Sequence, residues 1–131
     1  MRVTANPPTV AAPVGQYSQC VVASGRFIFI AGQVALGPDG RIIGRGDAAA
    51  QTRQILSNIK AIMQSQGGRI EDIVSFTIYD TDIAAHAEAT RAVRREFWPS
   101  APPAGTKVEV SKLAHEDYLL EISAVGVLKG P

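Results

Sequence analysis

Cysteine is almost missing from this chain of 131 residues: Cys20 stands alone. No internal disulfide can form, and such usage fits a reducing compartment. Taken as a small apolar side chain, Cys20 is expected in the interior. Histidine is equally scarce. His86 falls early in an expected helix, at the surface, and His115 falls in a turn, neither with a companion at metal-ligand spacing, so no metal site is expected. Excess charge is missing too: 13 lysines and arginines face 12 acidic residues, a net +1 that gives no field for nucleic acid. Nor does an aromatic–basic stripe exist on which bases could stack. Uncharged apolar runs are far too short to span a bilayer, and the N-terminus shows no signal-peptide pattern. A soluble cytoplasmic protein without membrane or nucleic-acid partners is expected. Repeats, low-complexity tracts and linkers are also absent, so residues 1–131 read as one domain.

What is present is a globular composition, 46% hydrophobic and 19% charged. Pro7, Pro8 and Pro13 make the opening segment irregular, with at most a short edge strand. Cys20 to Ala23 reads as a strand. Phe27 to Ala31, apolar at every position, reads as a strand covered on both faces. Pro38-Asp39-Gly40 turns a short hairpin between Val34–Leu36 and Ile42–Ile43. Asp47 caps a helix reaching about Gln66, with Thr52, Ile55, Ile59, Ile62 and Met63 on one stripe. Ile73 to Asp80 alternates as a strand. Asp82 caps a second helix striped by Ile83, Ala87, Thr90, Val93 and Phe97 and ended before Pro99. Its arginines Arg91, Arg94 and Arg95 interleave with Glu88 and Glu96 and read as a solvated face.

Two further runs close the chain, Pro103 to Val110 and Tyr118 to Ala124, both alternating with period two. In the first, Gly105, Lys107 and Glu109 share a face opposite Val108 and Val110. In the second, Leu120, Ile122 and Ala124 oppose Glu121 and Ser123. Pairing the two runs as neighbours predicts one apolar sheet face and one carrying Lys107, Glu109 and Glu121, where chemistry is expected. The order gives a two-layer α+β sandwich, a mixed sheet of about six strands with two helices on one face. Two helices leave the other face of the Phe27–Ile30 strand bare, and another copy of the chain is the simplest cover. Ligand sites then fall in clefts between copies.

Several segments carry a resemblance in order and spacing: Gly15-Gln16-Tyr17-Ser18-Gln19, Ile30-Ala31-Gly32-Gln33-Val34, Ala50-Gln51-Thr52 to Asn58-Ile59-Lys60, Asp72-Ile73-Val74, Pro103 to Val110, and Leu120-Glu121-Ile122. Over nearly its whole length the chain resembles the RidA (YjgF) family of reactive imine deaminases. The resemblance implies a chorismate-mutase-like fold and a homotrimer with sites at subunit interfaces. It also implies cofactor-free hydrolysis of enamines and imines to keto compounds and ammonia. By that resemblance Glu121 positions the attacking water and Tyr17 stands at the pocket mouth, while Gly32, Gly105, Thr106 and Lys107 bind substrate.

The chain departs from the family where the substrate carboxylate is gripped. Deaminases of the family carry an arginine at the position of Gly105, a fork suited to a carboxylate. Lys107 stands where cysteine is usual, about 6 to 7 Å along the same strand face, and Ala31 replaces a serine. The resemblance therefore implies altered substrate specificity, with Lys107 a substitute anchor for an anionic substrate or metabolite, or else the ion-pair partner of Glu109 or Glu121. A non-catalytic metabolite-binding protein using the same cleft is the alternative. Without the resemblance, Glu121 reads as a solvated or paired carboxylate and Tyr17 as interface packing.

Overall fold

The computed structural model describes residues 1–130. Six strands and two long helices follow one another as β1 (Arg2–Ala5), β2 (Cys20–Ala23), β3 (Arg26–Gln33), α1 (Ala48–Ser65), β4 (Ile73–Asp80), α2 (Ile83–Phe97), β5 (Ala104–Glu109) and β6 (Leu120–Leu128). A single 3-10 turn, Ile70–Asp72, leads into β4. Four strands form a mixed sheet in the order β3-β6-β4-β5, with β4 and β5 parallel around the α2 crossover. β1 and β2 form an antiparallel ribbon, tied to the sheet where Ser18 bridges Ala104 and where Arg2 Nε donates to the Ile73 carbonyl. The expected hairpin survives as one bridge, Leu36 to Ile42.

Both caps form as the sequence indicates. Asp47 accepts from the Ala50 N–H and Asp82 from the Ala85 N–H, each satisfying a free donor of the first turn. Both helices lie on one side of the sheet. Ile55, Leu56, Ile59 and Met63 of α1 and Val93 of α2 pack there with Ile30, Ile73, Phe76, Ile78, Leu120 and Ile122 of the strands. Trp98, at the end of α2, stacks on Phe76 at 5.7 Å between ring centroids, and its indole N–H donates to the Ile70 carbonyl.

The register corrects one expectation. β5 and β6 are not neighbours, because β4 lies between them. Gly105 lies opposite Phe76, Lys107 opposite Ile78 and Glu109 opposite Asp80, so the polar-looking alternation of β5 faces the helices. On the other side of β4, Glu121 lies opposite Tyr79 and Ser123 opposite Thr77, on the free face. Lys107 and Glu121 therefore occupy opposite faces. Val108, expected inside, is on the free face and 40% exposed. Alternation within a strand separates two faces without saying which one meets the core.

Three smaller expectations also change. Cys20 is exposed, its thiol 3.6 Å from the Ala5 carbonyl. His86 is largely buried beside Asp80. Arg94, read as part of a solvated face, is 7% exposed. Among the described residues no cluster could hold a metal ion, and no helix is long and apolar enough to cross a membrane.

Candidate functional site

A cavity of about 210 Å³ opens between β5, α2 and the segment Val14 to Tyr17. The parallel β4–α2–β5 crossover holds the helix over the strand, and the strip of α2 facing the gap is Ile83, Ala87, Arg91 and Arg94. These residues follow at steps of four, four and three, the spacing of one helix face. Gly105, Thr106 and Lys107 form the strand wall and Tyr17 stands at the edge, its hydroxyl accepting from the Val14 N–H at 3.3 Å. Four of the residues singled out in the sequence, Tyr17, Gly105, Thr106 and Lys107, thus share one cavity.

The chemistry of that cavity is cationic. Lys107 donates to Thr90 Oγ1 at 3.0 Å and lies 3.5 Å from Asp80 Oδ2. Asp80 is fully buried; its other oxygen accepts from the Asp82 N–H and lies 2.7 Å from His86 Nδ1. The ion-pair partner of Lys107 is therefore Asp80, not Glu109 or Glu121; Glu109 accepts from the Ile83 N–H. Burial lowers the Lys107 pKa, with Arg94 and Arg91 adding to the fall and Asp80 opposing it. Arg94 is pushed down to about 10 by burial and then by Arg91, with Asp80 pulling it upward. Its guanidinium carbon lies 5.7 Å from the centre of the Phe76 ring, and Nε and Nη1 are buried without a hydrogen-bond partner.

Phe76 explains the glycine at 105. A Cβ built there would stand 2.6 Å from Phe76 Cε1, so any side chain would force the ring to shift. The ring fills the space where the resemblance expects an arginine stem.

Glu121 and Gly32 come together elsewhere, on the free face. β3 carries an extra residue against β6 between Ile30 and Gln33, a bulge that brings the Gly32 backbone over the Glu121 carboxylate. A Cβ at Gly32 would lie 2.7 Å from Glu121 Cδ, so any larger residue there would have to displace the carboxylate. Within one chain the sheet separates this carboxylate from the cationic cavity. Residue reading missed Arg94 and Phe76 as parts of the cavity and Asp80 as the buried partner of Lys107. Arg94 was within reach, since it falls four residues after Thr90 on the buried side of α2.

Fold and site define a class by their geometry: a two-layer α+β domain with a cation-lined cavity at the helix–sheet seam. Known proteins narrow that class. The family model described as Endoribonuclease L-PSP matches residues 8–128. A RutC family protein of Pyrococcus horikoshii is 42% identical over 113 residues, 86% of this chain and 87% of its own. A RutC family protein of Synechocystis is 38% identical over 118 residues, 89% of each chain. Among solved structures, the Rid-family protein YyfB of Yersinia pestis superposes with a TM-score of 0.88 at 32% identity, covering 97% of this chain and 98% of its own. RidA of an Antarctic Psychrobacter gives 0.72 at 30%, covering 96% and 99%. The chain belongs to this family, the YjgF/RidA family.

Proposed function

We propose that the chain, acting as a single-domain subunit of a cytoplasmic homotrimer, hydrolyses a reactive imine or enamine of an anionic compound to the keto compound and ammonia. One observation carries the reading: the residues the resemblance marks as a site fall into two halves on opposite faces of one sheet. Glu121 with Gly32 lies on the free face, Tyr17 and Lys107 lie in the cavity, and Thr106, opposite Thr77, edges the cavity while alternating onto the free face. A neighbouring copy seated on the bare face would set its own half against the other, completing the cleft. Phe27 and Phe29, 63% and 75% exposed, provide apolar surface for that contact.

In such a cleft the cations hold the anionic end of the substrate. The Glu121 carboxylate orients a water and takes its proton as the oxygen attacks the C=N carbon. The nitrogen gains protons, the C–N bond of the resulting amino alcohol breaks, and ammonia leaves with formation of the keto group. Only water and proton transfers are consumed, so the proposal needs no cofactor. A non-catalytic binding protein is the second reading, favoured by the loss of the carboxylate-gripping arginine at Gly105. The name of the family model suggests nucleic acid, but a net charge of +1 gives that reading no support.

Ammonia release from 2-iminopropanoate and from bulkier imines tests the proposal. Turnover on at least one imine is expected, with Glu121→Gln lowering kcat by about 100-fold or more while ligand affinity changes little. Absence of ammonia release from every imine tried would rule out hydrolysis.

A further inference from the structure

An arginine buried with two of its nitrogens unpaired is costly, because a desolvated charge without partners has lost water and gained little. Arg94 is such a residue: 93% of its surface is covered, Nε and Nη1 meet no acceptor, and the side chain lines the cavity. Asp80 is the one acidic residue whose attraction to it is felt, and that carboxylate is already engaged with Lys107, Asp82 and His86. Arg91 stands beside it on the cavity wall and repels it. Three cations thus border the cavity against one carboxylate.

The cavity also has a direction. Along α2 its wall changes from Ile83 and Ala87 to Arg91 and Arg94, so the apolar and cationic ends are separated by about one and a half Å per residue along the helix axis. The cationic end is the end beside Phe76 and Gly105. We infer that Arg94, assisted by Arg91, is the anion anchor of this cavity, and that its ligand is a carboxylate whose aliphatic chain runs along α2 over Ala87 to Ile83. The guanidinium that the family resemblance expects from strand position 105 is supplied from the helix, across the ring of Phe76. The inference rests on the proposed function only in taking this cavity as the ligand site, and it does not depend on turnover.

Trp98, the single tryptophan, stacks on Phe76 and reports on the cavity by its fluorescence. The probes are 4-methyl-2-oxopentanoate, 2-oxopropanoate and the uncharged 4-methyl-2-pentanone, titrated into the intact protein and checked by calorimetry. The branched acid should bind at least about tenfold more tightly than 2-oxopropanoate, because of its added methylenes, and more tightly than the ketone. Arg94→Met should weaken the acid by about tenfold to hundredfold and leave the ketone unchanged; Arg94→Lys should recover part of the loss, and Arg91→Met should lose less. Without ligand, Arg94→Met should melt at a higher temperature than the wild type, which separates lost binding from lost folding. Undiminished binding of the acid to Arg94→Met, or no binding of it to the wild type, would overturn the inference. Binding without ammonia release would uphold it and refute hydrolysis.

Discussion

At position 105 the side chain is limited by what already stands over it. Phe76 is held from below by its stack on Trp98, nearly parallel at 7°, and both are in the core. The ring cannot rotate away from an added methyl without disturbing that stack. Gly105→Ala should therefore destabilise the protein by about 1 to 3 kcal/mol, as overpacking of a filled core does. Gly105→Arg, the substitution the family pattern invites, should cost more and restore no activity. Chemical denaturation of both variants checks this, and an alanine variant as stable as the wild type would mean that Phe76 has room to move. The residue-by-residue reading located Gly105 and Lys107 correctly on one strand face and singled out Gly105 as a departure from the family pattern. It could not show Phe76 filling the vacancy, because that contact joins residues on two strands whose pairing no local pattern specifies.

Among the elements, the join of β4, α2 and β5 is held by one buried carboxylate. Asp80 ends β4, receives the Asp82 N–H at the start of α2, and faces Lys107 from β5. Its negative charge is the counterweight to Lys107, Arg91 and Arg94. Asp80→Asn keeps the shape but removes that charge and leaves the cations facing one another. A loss of roughly 2 kcal/mol or more is expected, as when one partner of a buried pair is removed. Asp80→Asn combined with Lys107→Met should recover part of it, and a double-mutant cycle measures how much. A pH effect follows with a definite sign. Lys107 holds its proton less firmly in the folded chain than at its ordinary 10.5, so its charge opposes folding below that range. Stability from this group should improve as pH climbs through the lowered pKa towards 10.5, while anion affinity declines over the same interval. The helices and their Asp47 and Asp82 caps were legible from sequence because capping and 3.6-residue stripes are local. The strand order was not, and with it went the face assignment of Val108 and the partner of Lys107.

At the scale of the whole molecule, the sheet is finished on one side only. The helix side buries sixteen apolar residues in one cluster, whereas the free side presents Phe27 and Phe29 from β3 at one edge, Val108 from β5 at the other, and the half-buried Glu121 of β6 between the two edges. The sequence indicated this imbalance through the unbroken apolar run of β3, which no arrangement of two helices could cover on both faces. The two phenyl rings meet edge to face, their centroids 6.2 Å apart, forming a small aromatic patch. Burying such rings between copies is favourable at about 25 cal/mol per Å² removed from water, and a lysine in their midst reverses the sign. Phe29→Lys should therefore leave the fold intact, since the side chain is three-quarters exposed in the single chain, but convert the proposed trimer into monomers. Light scattering and far-UV circular dichroism measure the two quantities separately. If the cleft is completed between copies, the same variant should lose ammonia release even though Phe29 lines neither the cationic cavity nor the Glu121–Gly32 contact. A monomeric variant that retains full turnover would show that each chain carries a complete site, and a wild type that is already monomeric would remove the reason for expecting a shared one.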